Sequence, residues 1–294
     1  MFDRLLVPTD GSGPATAALE FAAKFASASA TIHLLFVDER TDDGDDTDGD
    51  HRPAAAPGDE ILAAARERAT AAGVSVVSDV QRGTPRERIL EYATTHDIEL
   101  IAMGSHGRRR VGRLALGDET QGVVRDASVP VLVVRASDDV RTVYPHERIL
   151  VPTDGSEHAD AALDLGLEVA ADTGARLDLL SVVSVTRYGS DVETDRLIDR
   201  LEENARAALE KTAANAAETG VEIHTAVTVG TVHREIATYA ETERMDLLVM
   251  GTHGRSGDGH ARELPGSVTE RVLRTAPAPV LTVRAPEANG SSLE

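Results

Sequence analysis

The hexapeptide Val-Pro-Thr-Asp-Gly-Ser stands at positions 7–12 and again at positions 151–156. Each copy closes a short apolar run, Arg4-Leu5-Leu6 and Arg148-Ile149-Leu150. A chain that repeats itself builds one unit twice, so a fold assigned to one half must also suit the other. The repeat continues to the end of both halves. Gly83-Thr84 and Met103-Gly104 recur 147 positions later as Gly230-Thr231 and Met250-Gly251. Gly117 and Pro130-Val131-Leu132 recur 149 positions later as Gly266 and Pro279-Val280-Leu281. A two-residue length change therefore falls between Gly107 and Gly117 on one side, and Gly254 and Gly266 on the other.

Within the first half, apolar runs alternate with helical patterns. Strands are expected over residues 5–7, 32–37, 74–80, 98–103 and 131–134, and helices over 15–28, 59–72, 85–95 and 119–126. Ala18, Phe21, Ala22 and Phe25 fall on one helical face, and Pro85 sits in the first turn of its helix, where proline is tolerated. The second half repeats this order, with a long helix near 194–219. Strands alternating with helices predict α/β domains with doubly wound parallel sheets, five strands each, joined by right-handed crossovers. The domains are expected over 1–137 and 146–286, separated by a polar linker at 136–147 that contains Pro145.

A length of 294 residues with 41% apolar content gives each domain enough material for its own core. The net charge is −20, and Lys24 and Lys211 are the only lysines. Such an acidic surface disfavours nucleic acid and anionic membrane as partners, and it suits high salt, where self-repulsion is screened. The absence of cysteine removes disulfides, thiolate metal sites and cysteine nucleophiles. The start Met1-Phe2-Asp3-Arg4 leads directly into a strand, which predicts no signal peptide, and no apolar run has spanning length. A cytoplasmic protein is the expectation.

Residues 40–58 form an acidic low-complexity insert found in the first half alone. An EF-hand register with Gly49 at the turn puts Gly44 at position one and Ala55 at position twelve, where carboxylates are needed. A solvated loop is the expected state of this segment.

In a doubly wound sheet, ligands bind at the carboxyl ends of the strands, where the strand order reverses. Three segments converge there in each half. They are Pro8-Thr9-Asp10 and Pro152-Thr153-Asp154, the stretches around Val37 and Val182, and Gly104-Ser105-His106-Gly107 with Gly251-Thr252-His253-Gly254. Glycines let backbone N–H groups approach an anion, and the helix that follows adds its positive end. Arg108, Arg109, Arg110 and Arg113, and more sparsely Arg255 and Arg262, concentrate positive charge in these loops. Together they describe a polyphosphate cradle, with Asp10 and Asp154 able to accept from a base or ribose. The competing structural explanation is a set of turn and capping glycines beside a solvated arginine patch.

These motifs resemble the universal stress protein family over nearly both halves. The family pattern after strand four is Gly, two residues, Gly, nine residues, Gly, then Ser or Thr. The stretches from Gly266 to Arg274 and from Ser128 to Val134 also resemble the family's closing helix and strand. The resemblance implies that ATP, or ADP or AMP, binds with its phosphates and ribose on this loop and its adenine near the strand-one Asp and strand two. The implied contacts in the first half are Pro8, Thr9, Asp10, Val37, Met103, Gly104, His106, Gly107, Arg108, Gly117 and Asp118. In the second half they are Pro152, Thr153, Asp154, Val182, Met250, Gly251, His253, Gly254, Arg255, Gly266, Ser267 and Val268. The family also dimerises through its last strand, which implies pairing of 131–134 with 280–283 inside one chain as a pseudo-dimer, with homodimers of whole chains as a further option.

Each half departs from the pattern differently. The first keeps the spacing but has Asp118 in place of Ser or Thr, which calls for AMP, ADP or a Mg²⁺-bridged ATP. The second keeps Ser267 but has eleven residues, Arg255 to Pro265, between Gly254 and Gly266. Longer loops cost little entropy, so that site can still cradle phosphates.

Catalytic signals are sparse. His106 and His253 are expected to shape their turns, and Ser12 and Ser156 to cap helices. Thr9-Asp10-Gly11-Ser12-Gly13 is not the dinucleotide fingerprint Gly-x-Gly-x-x-Gly. The reading is a nucleotide-binding stress-response regulator without a metal site of its own. A nucleotide-free interaction or scaffolding module and a slow ATPase or autophosphorylating protein stand as alternatives.

Overall fold

A computed structural model describes residues 2–40, 57–107, 116–137, 139–184, 192–254 and 268–286. The first half runs β1 (Phe2–Pro8), α1 (Gly13–Phe25), β2 (Ala26–Asp38), α2 (Pro57–Ala71), β3 (Ser75–Arg82), α3 (Pro85–Thr95), β4 (Leu100–Gly104), α4 (Asp118–Asp126) and β5 (Val131–Val134). The second runs β6 (Arg148–Pro152), α5 (Glu157–Thr173), β7 (Arg176–Ser184), α6 (Val192–Ala216), a 3-10 turn (Ala217–Thr219), β8 (Ile223–Gly230), α7 (Val232–Thr242), β9 (Leu247–Gly251), α8 (Val268–Thr275) and β10 (Val280–Val283).

The ten strands form one sheet in the order β3-β2-β1-β4-β5-β10-β9-β6-β7-β8. Pairing is parallel within each half, and β5 and β10 join the halves antiparallel, with Leu132 opposite Leu281. Each short apolar closing strand thus covers the other's edge, which would otherwise be a template for aggregation. Period-two alternation divides the core between two faces. Leu5 and Val7 join one buried cluster and Leu6 the other, and both clusters draw residues from both halves.

Three boundaries differ from the sequence pattern. The first helix ends at Phe25 rather than reaching residue 28, because Ala26 turns extended (φ −71°, ψ 146°). The alternating Ala-Ser stretch then starts β2, where Ser27 and Ser29 donate to the Asp3 carboxylate. Gly58, at the end of the acidic insert, is not in a solvated loop. It lies in the first turn of α2, buried, where an added Cβ would stand 2.6 Å from the Phe36 ring. Residues 41–56 of the insert lie outside the described residues.

The linker is not merely a polar tether. Tyr144 and His146, on either side of Pro145, pack on Phe25, and His146 also packs on Phe21. The Tyr144–Pro145 peptide is cis. Arg141 donates its backbone N–H to Pro277 O at 2.7 Å, and Arg135 donates to Ala276 O at 2.7 Å.

Candidate functional site

The turn after strand one is built the same way in both halves. Thr9 Oγ1 accepts from Gly11 N (3.2 Å), Asp10 Oδ1 from Ser12 N (2.9 Å), and Ser12 Oγ from Ala15 N (3.4 Å). Thr153, Asp154 and Ser156 repeat these bonds with Gly155, Ser156 and Ala159 at 3.1, 3.0 and 3.2 Å. Gly11 and Gly155 sit at φ +73° and +72°, where a side chain would be strained. The hexapeptide is thus a self-bonded turn that ends a strand and caps the next helix, with both Ser hydroxyls committed to capping.

This turn braces the glycine loop. A Cβ on Gly107 would stand 2.7 Å from Asp10 Oδ2, and one on Gly254 3.0 Å from Asp154 Oδ2. A Cβ on Gly104 would meet the Pro14 carbonyl carbon at 2.6 Å, and one on Gly251 the His158 oxygen at 2.7 Å. The motif glycines therefore admit protein atoms as their close neighbours, Gly104 and Gly251 the first turn of a helix. Gly117 N donates to Ser105 O at 2.8 Å. Thr120 and Thr269 reach back to Gly104 O and Gly251 O at 3.0 and 2.8 Å, pinning the following helix against the end of its strand. His106 Nδ1 lies 3.0 Å from Ser105 Oγ, and His253 Nδ1 3.1 Å from Thr252 Oγ1, so both rings are held within their turns.

In the first half these segments enclose a cleft of about 810 Å³. It opens between β1 and β4, the point at which strand order reverses. Pro8, Thr9, Asp10, Val37, Met103, Gly104, His106, Gly107, Gly117 and Asp118, all expected from the sequence, line it. Its lining combines the apolar side chains of Val37, Ile61, Ile89 and Met103 with the polar ones of Asp10, His106 and the first turn of α4, where Asp118, Glu119 and Thr120 stand. The rim beyond β2 carries Asp38, whose carboxyl is held down at about 2 by hydrogen bonds from Arg40. Arg108 lies outside the described residues.

Ile61, Ile89 and Arg40 were missed in the sequence, whereas Asp38 closes the stretch around Val37 already expected there. The helix residues carry no motif, and their approach to the cleft depends on how α2 and α3 cross the sheet. Thr120 had a signal, since it pairs with Thr269 at the same offset as Gly117 with Gly266.

In the second half, Pro152, Thr153 and Asp154 occupy the same turn, Val182 is half-buried near the end of β7, and Met250 is buried. Val268 opens α8 and is exposed. Arg255, Gly266 and Ser267 lie outside the described residues. Where the first half has Pro14, this half has His158, whose Nδ1 accepts from Ala285 N at 2.8 Å and whose ring lies 5.2 Å from that of His253. Among the described residues, no group of three or more His, Asp or Glu side chains is arranged to hold a metal ion. No helix among them is long and apolar enough to cross a membrane.

The model of the universal stress protein family matches residues 1–135 and 145–284. A universal stress protein of Methanocaldococcus jannaschii is 35% identical over 145 residues, covering 48% of this chain and 84% of that protein. One from Mycobacterium bovis is 28% identical over 215 residues, 72% of this chain and 70% of its own. The crystal structure of a universal stress protein from Archaeoglobus fulgidus superposes with a TM-score of 0.68 at 26% identity, covering 97% of both chains. The chain belongs to the universal stress protein family and carries two of its domains in tandem.

Proposed function

We propose that the protein binds an adenine nucleotide, ATP or its di- or monophosphate, in the first-half cleft, and acts as a stress-response regulator rather than a dedicated catalyst. The observation that carries this reading is the cleft of about 810 Å³ at the strand-order reversal, lined by both apolar and polar side chains. Val37, Ile61, Ile89 and Met103 offer apolar surface that suits a purine ring. Asp10 lines the cleft, where a ribose or base can donate to it, and the N-terminus of α4, also in the lining, offers its positive end to phosphates.

Charge limits the form of the ligand. Asp10, Asp118 and Glu119 line the cleft, and carboxylates repel a triphosphate unless a cation lies between them. Mg²⁺ carried by the nucleotide, with Asp118 on its coordination shell, meets that requirement. The Arg108–Arg110 run, directly after Gly107, and Arg113, three residues further on, are a second source of positive charge.

Calorimetric titration of the full chain with ATP, ADP and AMP, with and without Mg²⁺, tests this reading. A saturable heat is expected that Val37→Trp abolishes and Val182→Trp preserves. Absence of saturable heat for every nucleotide, with no nucleotide released from the freshly purified protein on denaturation, would overturn it.

A further inference from the structure

The first turns of α3 and α4 both line the cleft, through Pro85 and through Asp118, Glu119 and Thr120, and the two helices pack together. Two side chains join them. Glu119 Oε2 accepts from Arg86 N at 3.0 Å. That N–H is one of the orphan donors at the start of α3, whose N-cap residue Thr84 makes no side-chain capping bond. Glu119 therefore caps α3 from the neighbouring helix, and its charge meets the positive end of α3. The Arg86 side chain runs the other way, across α4, and its guanidinium pairs with the Asp126 carboxylate in the last turn. It crosses at Gly122, a buried position where an added Cβ would stand 2.5 Å from Arg86 Cδ. Glycine weakens a helix interior relative to alanine, and here it admits the crossing side chain. Thus α4 is joined to α3 near both of its ends, while Thr120 ties its first turn to Gly104 O at 3.0 Å.

The duplication supplies an internal comparison. At the repeat offsets Arg86, Glu119, Gly122 and Asp126 become His233, Val268, Arg271 and Thr275. Both carboxylates are lost, and Val268 is exposed. Arg271 stands where Gly122 left room. Burial and the charges of Arg271 and Arg234 push the His233 imidazole below its ordinary range, so the groups that face each other there do not attract. The threonine pin does recur, at Thr269. The fold therefore keeps the pin, and the bonds between α3 and α4 are an addition of the first half. The Arg86 and Asp126 side chains are 40% and 28% exposed, and such a pair adds little to global stability. Its effect is local, on where the first turn of α4 sits.

We infer that Arg86 is a positioning residue of the first-half cleft. By bridging α3 to α4 over Gly122, it fixes the first turn of α4 where the phosphates of the proposed nucleotide would meet it, so that little ordering is left to be done on binding. The role rests on the nucleotide reading of that cleft.

Calorimetric titration of the full chain with adenosine and with Mg²⁺–ATP, for wild type, Arg86→Ala and His233→Ala, tests it. His233 is the twin position in the other half, so His233→Ala is expected to bind both ligands as wild type does. Arg86→Ala is expected to bind Mg²⁺–ATP about fivefold more weakly and adenosine unchanged, since adenosine has no phosphate for α4 to meet. Circular dichroism verifies that both variants are folded. Equal weakening for the two ligands, equal weakening by His233→Ala, or undiminished ATP binding by Arg86→Ala would overturn the positioning role and leave the nucleotide reading standing. Absence of binding by wild type would overturn that reading, and the positioning role with it.

Discussion

The two halves hold the same positions with different chemistry, and the difference separates what the fold requires from what it tolerates. The strand-one turn, the close approaches at Gly104 and Gly251, and the Thr120 and Thr269 pins are the same in both. All are local bonds or backbone contacts that shape the strand ends. Elsewhere the halves diverge. Tyr92 OH meets His33 Nδ1 at 3.0 Å in the first half, whereas Tyr239 donates to Asp178 at 2.9 Å in the second, where Arg176 also chelates that carboxylate. Burial and the Asp178 charge push the Tyr239 hydroxyl well above its ordinary range. A buried polar position has to be hydrogen-bonded, but either an imidazole or a carboxylate can satisfy it, provided the neighbours follow.

The largest contrast is expected at Asp246 and its counterpart Glu99. Asp246 is buried and accepts from Glu147 N, Arg148 N and Arg141, whereas the Glu99 side chain is 37% exposed. Asp246→Ala should cost about 3 kcal/mol in urea unfolding, because it orphans buried donors, and Glu99→Ala about 0.5 kcal/mol, as an exposed pair does. Equal losses would break the claim that burial, not position, sets the value of this acid.

A smaller effect distinguishes His146 from Phe2. Burial pushes the His146 imidazole down to about 4 from an ordinary 6.5, against the pull of Asp246. The folded state thus prefers the neutral ring, so the full contribution is present above pH 6.5 and is lost as pH falls toward 4. Stability between pH 7 and pH 5 should drop by roughly 2 kcal/mol from this group, and His146→Phe, matching its counterpart, should remove that part of the slope. An unchanged slope of the urea midpoint against pH would show that the ring is not held neutral.

The smallest effect concerns the helix starts at Asp118 and Ser267, where the proposed nucleotide's phosphates would lie. Asp118→Ser gives the first half the hydroxyl that Ser267 supplies in the second, and should tighten Mg²⁺-free ATP binding about fivefold, near 1 kcal/mol. Calorimetry on the full chain reads it. An unchanged affinity would place Asp118 outside the reach of the phosphates.

Much of the fold was legible because its signals are local. Strand runs, helical faces and turn glycines report backbone preference within a few residues, and a duplication allows each to be checked against its twin. The strand-one Asp, Val37 and the glycine loop were legible as lining for the same reason. The α1 boundary was not, since an alanine-rich stretch has good helical propensity and only pairing with β1 turns Ala26 and its successors into strand. Gly104 and Gly251 were legible as special positions but not for their physical cause, which is the backbone of the helix packed across them.

The sequence by itself determined that two α/β units of one design exist, that their strand-one turns are alike and that the loops after Gly107 and Gly254 differ in length. These follow from identity, spacing and period along the chain. Tertiary structure alone decided that the linker's Tyr144 and His146 pack against the core and that Asp246 is buried while Glu99 is not. Those outcomes depend on residues far apart in the chain, and the cost of burying a charge or a ring is set by whichever neighbours the fold brings to it.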